Sequence, residues 1–162
     1  MADAGDIFIR EARDSDADGL IGLIGEIFKD YENCVLDLEG VDQALLAIVT
    51  YVKGLGGKFW VAERDGQIVG CSGYGRKEGG VVELKRMYVA KSERRRGLAT
   101  KLYGLVMAAA HELNARAVDL WSDTRFAEAH AFYLSKGFQQ QPGTRDLNDP
   151  SNSTEYRFIK VL

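Results

Sequence analysis

The sequence predicts a single α/β (α+β) domain: a mixed sheet with helices on both faces. Three observations carry this. Short alternating or β-branched apolar segments recur between segments whose apolar residues fall at helical spacing, in the order β-α-α-β-β-β-α-β-α-β-β. Glycine-bearing turns punctuate them. The 162 residues, 46% hydrophobic and 28% charged, are one domain's length, 1–162, with enough apolar mass for a core.

Residues 7–12 (IFIREA) alternate and read as the first strand. Asp14, Ser15 and Asp16 then offer helix caps, and Leu20, Leu23, Ile24, Ile27 and Phe28 follow at helical spacing. A second helix is expected over residues 41–55, with Leu45, Ile48, Val49 and Val52 as its apolar face. Residues 58–63 and 67–74 read as strands joined at Asp65-Gly66, a hairpin dipeptide. Glu78-Gly79-Gly80 turns into a strand from Val81, whose Val82, Leu84, Met87 and Val89 have the look of a buried segment. After Gly97, Leu98, Leu102, Leu105, Val106, Ala109 and Leu113 mark a long amphipathic helix. Residues 117–121 are a strand, 126–136 a helix stopped by Gly137, and 138–141 and 154–161 the last two strands.

The start of the long helix is unusual. Arg94, Arg95 and Arg96 stand where the helix dipole is already positive and Asp or Glu would stabilise. Three arginines, a glycine that lets a ligand approach the backbone, and the unpaired N–H groups of a helix start describe a seat for a polyanion, phosphate above all. Solvated arginine triplets are common, but this one follows a buried strand and opens a helix, where α/β proteins bind anionic ligands. No GxxxxGK[ST] is present, and Gly73-Tyr74-Gly75 runs into Arg-Lys-Glu, so neither a Walker loop nor a dinucleotide fingerprint is read.

The formal net charge of −3 argues against nucleic acid as a partner. No 18-residue apolar run or signal-peptide pattern is seen, so a membrane is not expected either. Cys34 and Cys71 lack CxxC spacing, which suits a reduced, cytoplasmic setting. His111 and His130 are too few and scattered for a metal cluster, and no metal is expected.

These residues resemble the GNAT superfamily of acyl-CoA-dependent N-acetyltransferases. The family's loop signature, [Q/R]-x-x-G-x-[G/A], stands here as Arg94-Arg95-Arg96-Gly97-Leu98-Ala99, and its late Tyr-x-x-x-Gly-Phe pattern as Tyr133 to Phe138. The resemblance implies a mostly antiparallel central sheet of about seven strands and acetyl-CoA as co-substrate. Its pyrophosphate is expected on Arg94, Arg95, Arg96, Gly97, Leu98, Ala99 and Thr100, and its pantetheine arm on the opened backbone of Met87, Tyr88 and Val89. The sequence departs from the family at Asp123-Thr124-Arg125-Phe126, where many members carry a cofactor-contacting Asn.

Transfer to an amine needs a deprotonated acceptor, a stabilised oxyanion and a proton for the departing thiolate. The resemblance makes Tyr133 the acid and Glu83 the base. The residues alone leave Tyr133 open to a packing role and Glu83 to an ion pair with Lys85 or Arg86. His130 shares a helix face with Tyr133 and reads as a relay or a surface histidine. Ser122 and Asp123, at the end of the strand before that helix, read as contacts for acceptor or cofactor, or Asp123 as a helix cap, the preferred reading. In the segment joining the first two helices, Asp30, Glu32, Asp37, Glu39 and Asp42 would attract a cationic amine and Tyr31 would add a cation–π face; a solvated acidic loop is the other reading. The expected activity is direct acetyl transfer in a ternary complex to a small cationic amine or a protein or peptide amino group. A homodimer is one candidate assembly, and the alternative is a non-catalytic acyl-CoA-binding regulatory module.

Overall fold

The expected strands form one sheet, with one strand more than the pattern predicts. The computed structural model describes residues 5–162. Strands β1 (Phe8–Glu11), β2 (Lys58–Arg64), β3 (Gln67–Lys77) and β4 (Val81–Val89) form an antiparallel series. Strand β5 (Ala117–Asp123) lies parallel to β4 and antiparallel to β8 (Thr154–Val161), which also carries β6 (Gln139–Gln140) and the additional β7 (Arg145–Asp146). The eight-stranded order is β1-β2-β3-β4-β5-β8-β6, with β7 on β8. Strand β7 lies within the polar loop after Pro142, where two residues give no periodic signal.

Helix α1 (Ala17–Phe28) buries Leu20, Leu23, Ile24, Ile27 and Phe28, the stripe its spacing predicts, and with α2 (Ile48–Gly54) covers one face of the sheet. Helices α3 (Leu98–Glu112) and α4 (Ala127–Ser135) cover the other, setting Tyr103, Val106, Ala110 and Tyr133 against Val82, Leu84, Val118, Leu120 and Phe158. The Asp65-Gly66 hairpin has both residues at positive φ, +52° and +79°, as a type I′ turn demands. No helix among the described residues is long and apolar enough to cross a membrane.

The expected helix over 41–55 is instead a 3₁₀ turn, Gln43–Ala47, followed by α2. The break has a cause that spacing alone does not reveal: the Asp14 carboxylate accepts from Val49 N (2.8 Å), Thr50 N (3.1 Å) and Thr50 Oγ1 (2.6 Å), and so starts a fresh helix there. Asp14 thus serves α2, whereas Asp16 binds the Arg10 guanidinium at 2.9 and 2.8 Å.

Candidate active site

Strands β4 and β5 part company early. Their ladder runs Val81 to Ala117, Val82 to Val118 and Glu83 to Asp119. Beyond it β5 stays with β8, while residues 84–89 follow β3 and, among the described residues, have no strand on their other side. The opening is sharpened by a bulge. Cys71 pairs with Tyr88 but Gly73 with Lys85, so β4 carries one extra residue, and Arg86 sits there at φ +53°. A non-glycine residue in that region costs about 1 kcal/mol or more, and neighbours hold it. Arg86 Nη1 lies 2.6 Å from Asp42 Oδ1, its Nη2 donates to Val41 O (2.7 Å), and the Cys71 thiol donates to Arg86 O (3.0 Å).

One cleft, of about 570 Å³, runs from this opening to the start of α3. Met87, Tyr88, Val89, Arg94, Arg95, Gly97, Ala99, Thr100 and Tyr133 line it. Arg95 and Gly97 both have positive φ, +64° and +83°, no side chain caps α3, and a Cβ on Gly97 would meet no atom within 4 Å. The helix-start N–H groups therefore face an open cradle under positive side chains. Two of the expected loop residues stand apart from it. Leu98 is 4% exposed because its side chain packs under β2 with Ala62, leaving only its backbone for a ligand, and the exposed Arg96 side chain lies outside the lining. Tyr133 is 4% exposed and packs on Phe138 and Phe158. Burial pushes its phenol well above the ordinary value, with the neighbouring Tyr88 and Cys71 adding to the rise, so it keeps its proton.

A second cleft, of about 330 Å³, lies on the α2 side of the opening. Glu83, the last residue of the short ladder, faces it and pairs with Lys85 (Oε1–Nζ 2.6 Å), so the ion pair read from sequence is made within the cleft. The segment between α1 and α2 and the loop after β7 enclose it, stitched by Ser151 Oγ, which accepts from Val35 N (2.8 Å) and donates to Val35 O (2.9 Å). The Arg145 guanidinium stacks on Trp121 at 4.1 Å and binds Glu155 at 2.7 Å. Asp42, Glu83, Asp123, Asp149 and Glu155 line this cleft with Lys85, Arg86 and Arg145; Arg125 pairs with Asp123 from outside the lining (3.0 Å), so the negative excess is a single carboxylate, Asp149. The source of that charge differs from the expectation. Asp30, Glu32, Asp37 and Glu39 do not line this cleft, Asp42 does but is engaged by Arg86, and Tyr31 lies in the first cleft, 4.9 Å from the Phe126 ring.

Both clefts are lined by Tyr88 and Phe126, where they meet. Asp123 closes the turn before α4, its Oδ1 accepting from Arg125 N (2.8 Å). His130 Nε2 lies 2.9 Å from Asp123 O, which can only accept, so Nε2 carries a proton and ties α4 to the end of β5. Burial lowers its pKa. Sequence reasoning missed Arg86, Phe126, Trp121 and Ser151. A positive φ on arginine leaves no trace in composition, and the others matter only through residues far away in the chain.

Residues 56–140 match the acetyltransferase (GNAT) domain model. An N-acetylaspartate synthetase of Danio rerio is 32% identical over 126 residues, 77% of this chain and 43% of that protein. The chain spans about two fifths of the length of the curated relatives it matches first. A GNAT-family acetyltransferase from Staphylococcus aureus superposes with TM-score 0.78 at 28% identity, over 94% of this chain and 99% of that one. The structure of yncA from Salmonella typhimurium, solved with its cofactor acetyl-CoA, shares the fold with TM-score 0.70 at 18% identity over 96% and 94% of the two chains.

Proposed function

The chain belongs to the GNAT acetyltransferase family, and from that premise we propose that it moves an acetyl group from acetyl-CoA directly to the primary amine of a small acceptor. The observation that carries this reading is the junction: an anion-cradling cleft and a charged, roofed cleft share Tyr88 and Phe126 where β4 leaves β5. The first is the donor cleft, the second the acceptor cleft.

Acetyl-CoA supplies the activated acetyl group and, in its thiol, the leaving group. The backbone N–H groups from Arg94 to Thr100 hold its pyrophosphate, with Gly97 giving close approach and the arginines charge. The unpaired edge of Met87, Tyr88 and Val89 receives the pantetheine arm, and an N–H there stabilises charge on the thioester oxygen. Tyr133, kept protonated by burial, gives its proton to the departing sulfur. An amine with pKa near ~10.4 must lose a proton before it attacks; Glu83, at the apex of the opening, takes it directly or through water once the acceptor displaces Lys85. Direct transfer in a ternary complex is favoured over an acyl-cysteine. Burial raises both thiols, Cys71 to about 12, which keeps them un-ionised and poor nucleophiles.

The volume of about 330 Å³ and the Ser151–Val35 stitches suit a small molecule better than a protein chain. The negative excess in the cleft suits an acceptor with a further positive charge. The N-acetylaspartate synthetases among the relatives put aspartate on the same panel. The test follows CoA release with diamines, polyamines, basic amino acids, aspartate and short peptides. Turnover with a cationic small amine is expected; turnover confined to aspartate would overturn the charge argument. Tight acetyl-CoA binding with no turnover on any amine would make the chain an acyl-CoA-binding module.

A further inference from the structure

Three rings from three separate elements close on one another at the junction. Phe28 ends α1, Tyr88 follows the β4 bulge and Phe126 precedes α4. Their centroids lie 6.0 Å (Phe28–Tyr88), 6.0 Å (Phe28–Phe126) and 6.3 Å (Tyr88–Phe126) apart, a nearly equilateral triangle of contacting rings. Each is held from behind. Phe28 is 8% exposed, the Tyr88 backbone is fixed by its pairing with Cys71, and Phe126 N donates to Asp123 O at 3.1 Å.

We infer that this ring triangle is an acyl gauge that restricts the donor to the acetyl group. The inference rests on the transfer reading above. Thioester carbon and amine must meet where the two clefts meet, and the carbons beyond the carbonyl then lie against Tyr88 and Phe126. A methyl group fits beside rings already in mutual contact. Each further methylene must push a ring off its neighbours, and the neighbours are anchored to a strand, a helix end and a capped turn, so the strain is not relaxed locally. A packed apolar wall distinguishes one methylene by roughly 10–200-fold, and the gauge falls in that range.

The test uses the full chain and acetyl-, propionyl-, butyryl- and hexanoyl-CoA, with free CoA as reference. Calorimetry reads affinity without any acceptor, and CoA release reads kcat/KM once an amine is found. In the wild type, affinity is expected to fall about 10-fold or more from acetyl- to butyryl-CoA. Phe126→Ala, with Phe126→Leu as the milder variant should the first not fold, and Tyr88→Leu are expected to shrink or invert that ratio. Free CoA, titrated into each protein, is the reference from which the acyl ratios are taken, so a loss of pantetheine contact common to every ligand cancels. Equal wild-type affinity for all four acyl chains, or an unchanged ratio in a folded variant, overturns the gauge and leaves the transfer reading standing. Failure of the wild type to bind either CoA or acetyl-CoA overturns both.

Discussion

The proposed donor cleft takes most of its wall from one stretch, residues 87–100, with α4 laid beside it; the proposed acceptor cleft draws on residues from 28 to 155. The first is a backbone site, made of an opened strand edge, two left-handed loop residues and an uncapped helix start. The second is a side-chain site, whose cations each carry a carboxylate partner: Lys85 on Glu83, Arg86 on Asp42, Arg145 on Glu155. A backbone site tolerates many sequences so long as a glycine and a few charges recur. A site of paired side chains changes character with one substitution.

Gly97→Glu should separate the two most sharply. The space above Gly97 is open, so the change costs the fold only the strain of φ +83°, about 1 kcal/mol. It sets a carboxylate where the pyrophosphate is proposed to lie. The expected outcome is loss of acetyl-CoA binding by at least about 100-fold and loss of its stabilising effect on Tm; wild-type affinity would remove the loop from the donor site.

Tyr133→Phe comes next. The ring and its packing on Phe138 and Phe158 remain, so acetyl-CoA affinity should hold while kcat and kcat/KM fall together by roughly 100-fold. Lower stability with normal turnover would mark Tyr133 as a packing residue.

On the acceptor side the expected effect is smaller and reads differently. Arg86→Gly relieves a left-handed arginine, a gain of about 1 kcal/mol, but strands the Asp42 carboxylate, which is 6% exposed, at a cost of about 3 kcal/mol. Net destabilisation of about 2 kcal/mol is expected, with Asp42→Asn in the same chain recovering most of it. Acceptor KM should rise about tenfold while acetyl-CoA affinity moves less than about twofold. A donor-side loss instead would mean that the bulge serves the donor cleft alone.

Much of the donor half was legible. The loop and its helix are contiguous, and an apolar, β-branched run before it and apolar residues at helical spacing after it mark the elements on either side. The acceptor half was not. The acidic residues of the α1–α2 segment looked like its field, yet only Asp42 reaches it, because Asp14 restarts the helix at Ile48 and the β7 loop supplies Asp149. Which carboxylate lines a cleft depends on contacts such as Ser151 on Val35, 116 residues apart.

The smallest expected effect is a pH effect. Burial depresses the folded-state pKa of His130, so as pH falls below ~6.5 the unfolded chain takes up its proton first. The stability this histidine contributes is complete above that pH and lost below it. Tm should fall by ~1–3 °C more between pH 7.5 and 5.5 in the wild type than in His130→Gln. Equal slopes would detach α4, and the ring it presents to both clefts, from this histidine.

The three rungs that join β4 to β5 also make the sheet a hinge. One leaf is β1 to β4 under α1 and α2, the other β5 to β8, and α3 crosses from one to the other. Three rungs restrain the fork less than a full ladder would, and the two leaves are expected to breathe about Glu83 to the extent that α3 allows. A molecule lying along residues 84–89 would act as a bolt, replacing missing rungs and setting the angle between the leaves. Amide exchange along the two lips of the fork is therefore a direct gauge of whether the bolt is in place.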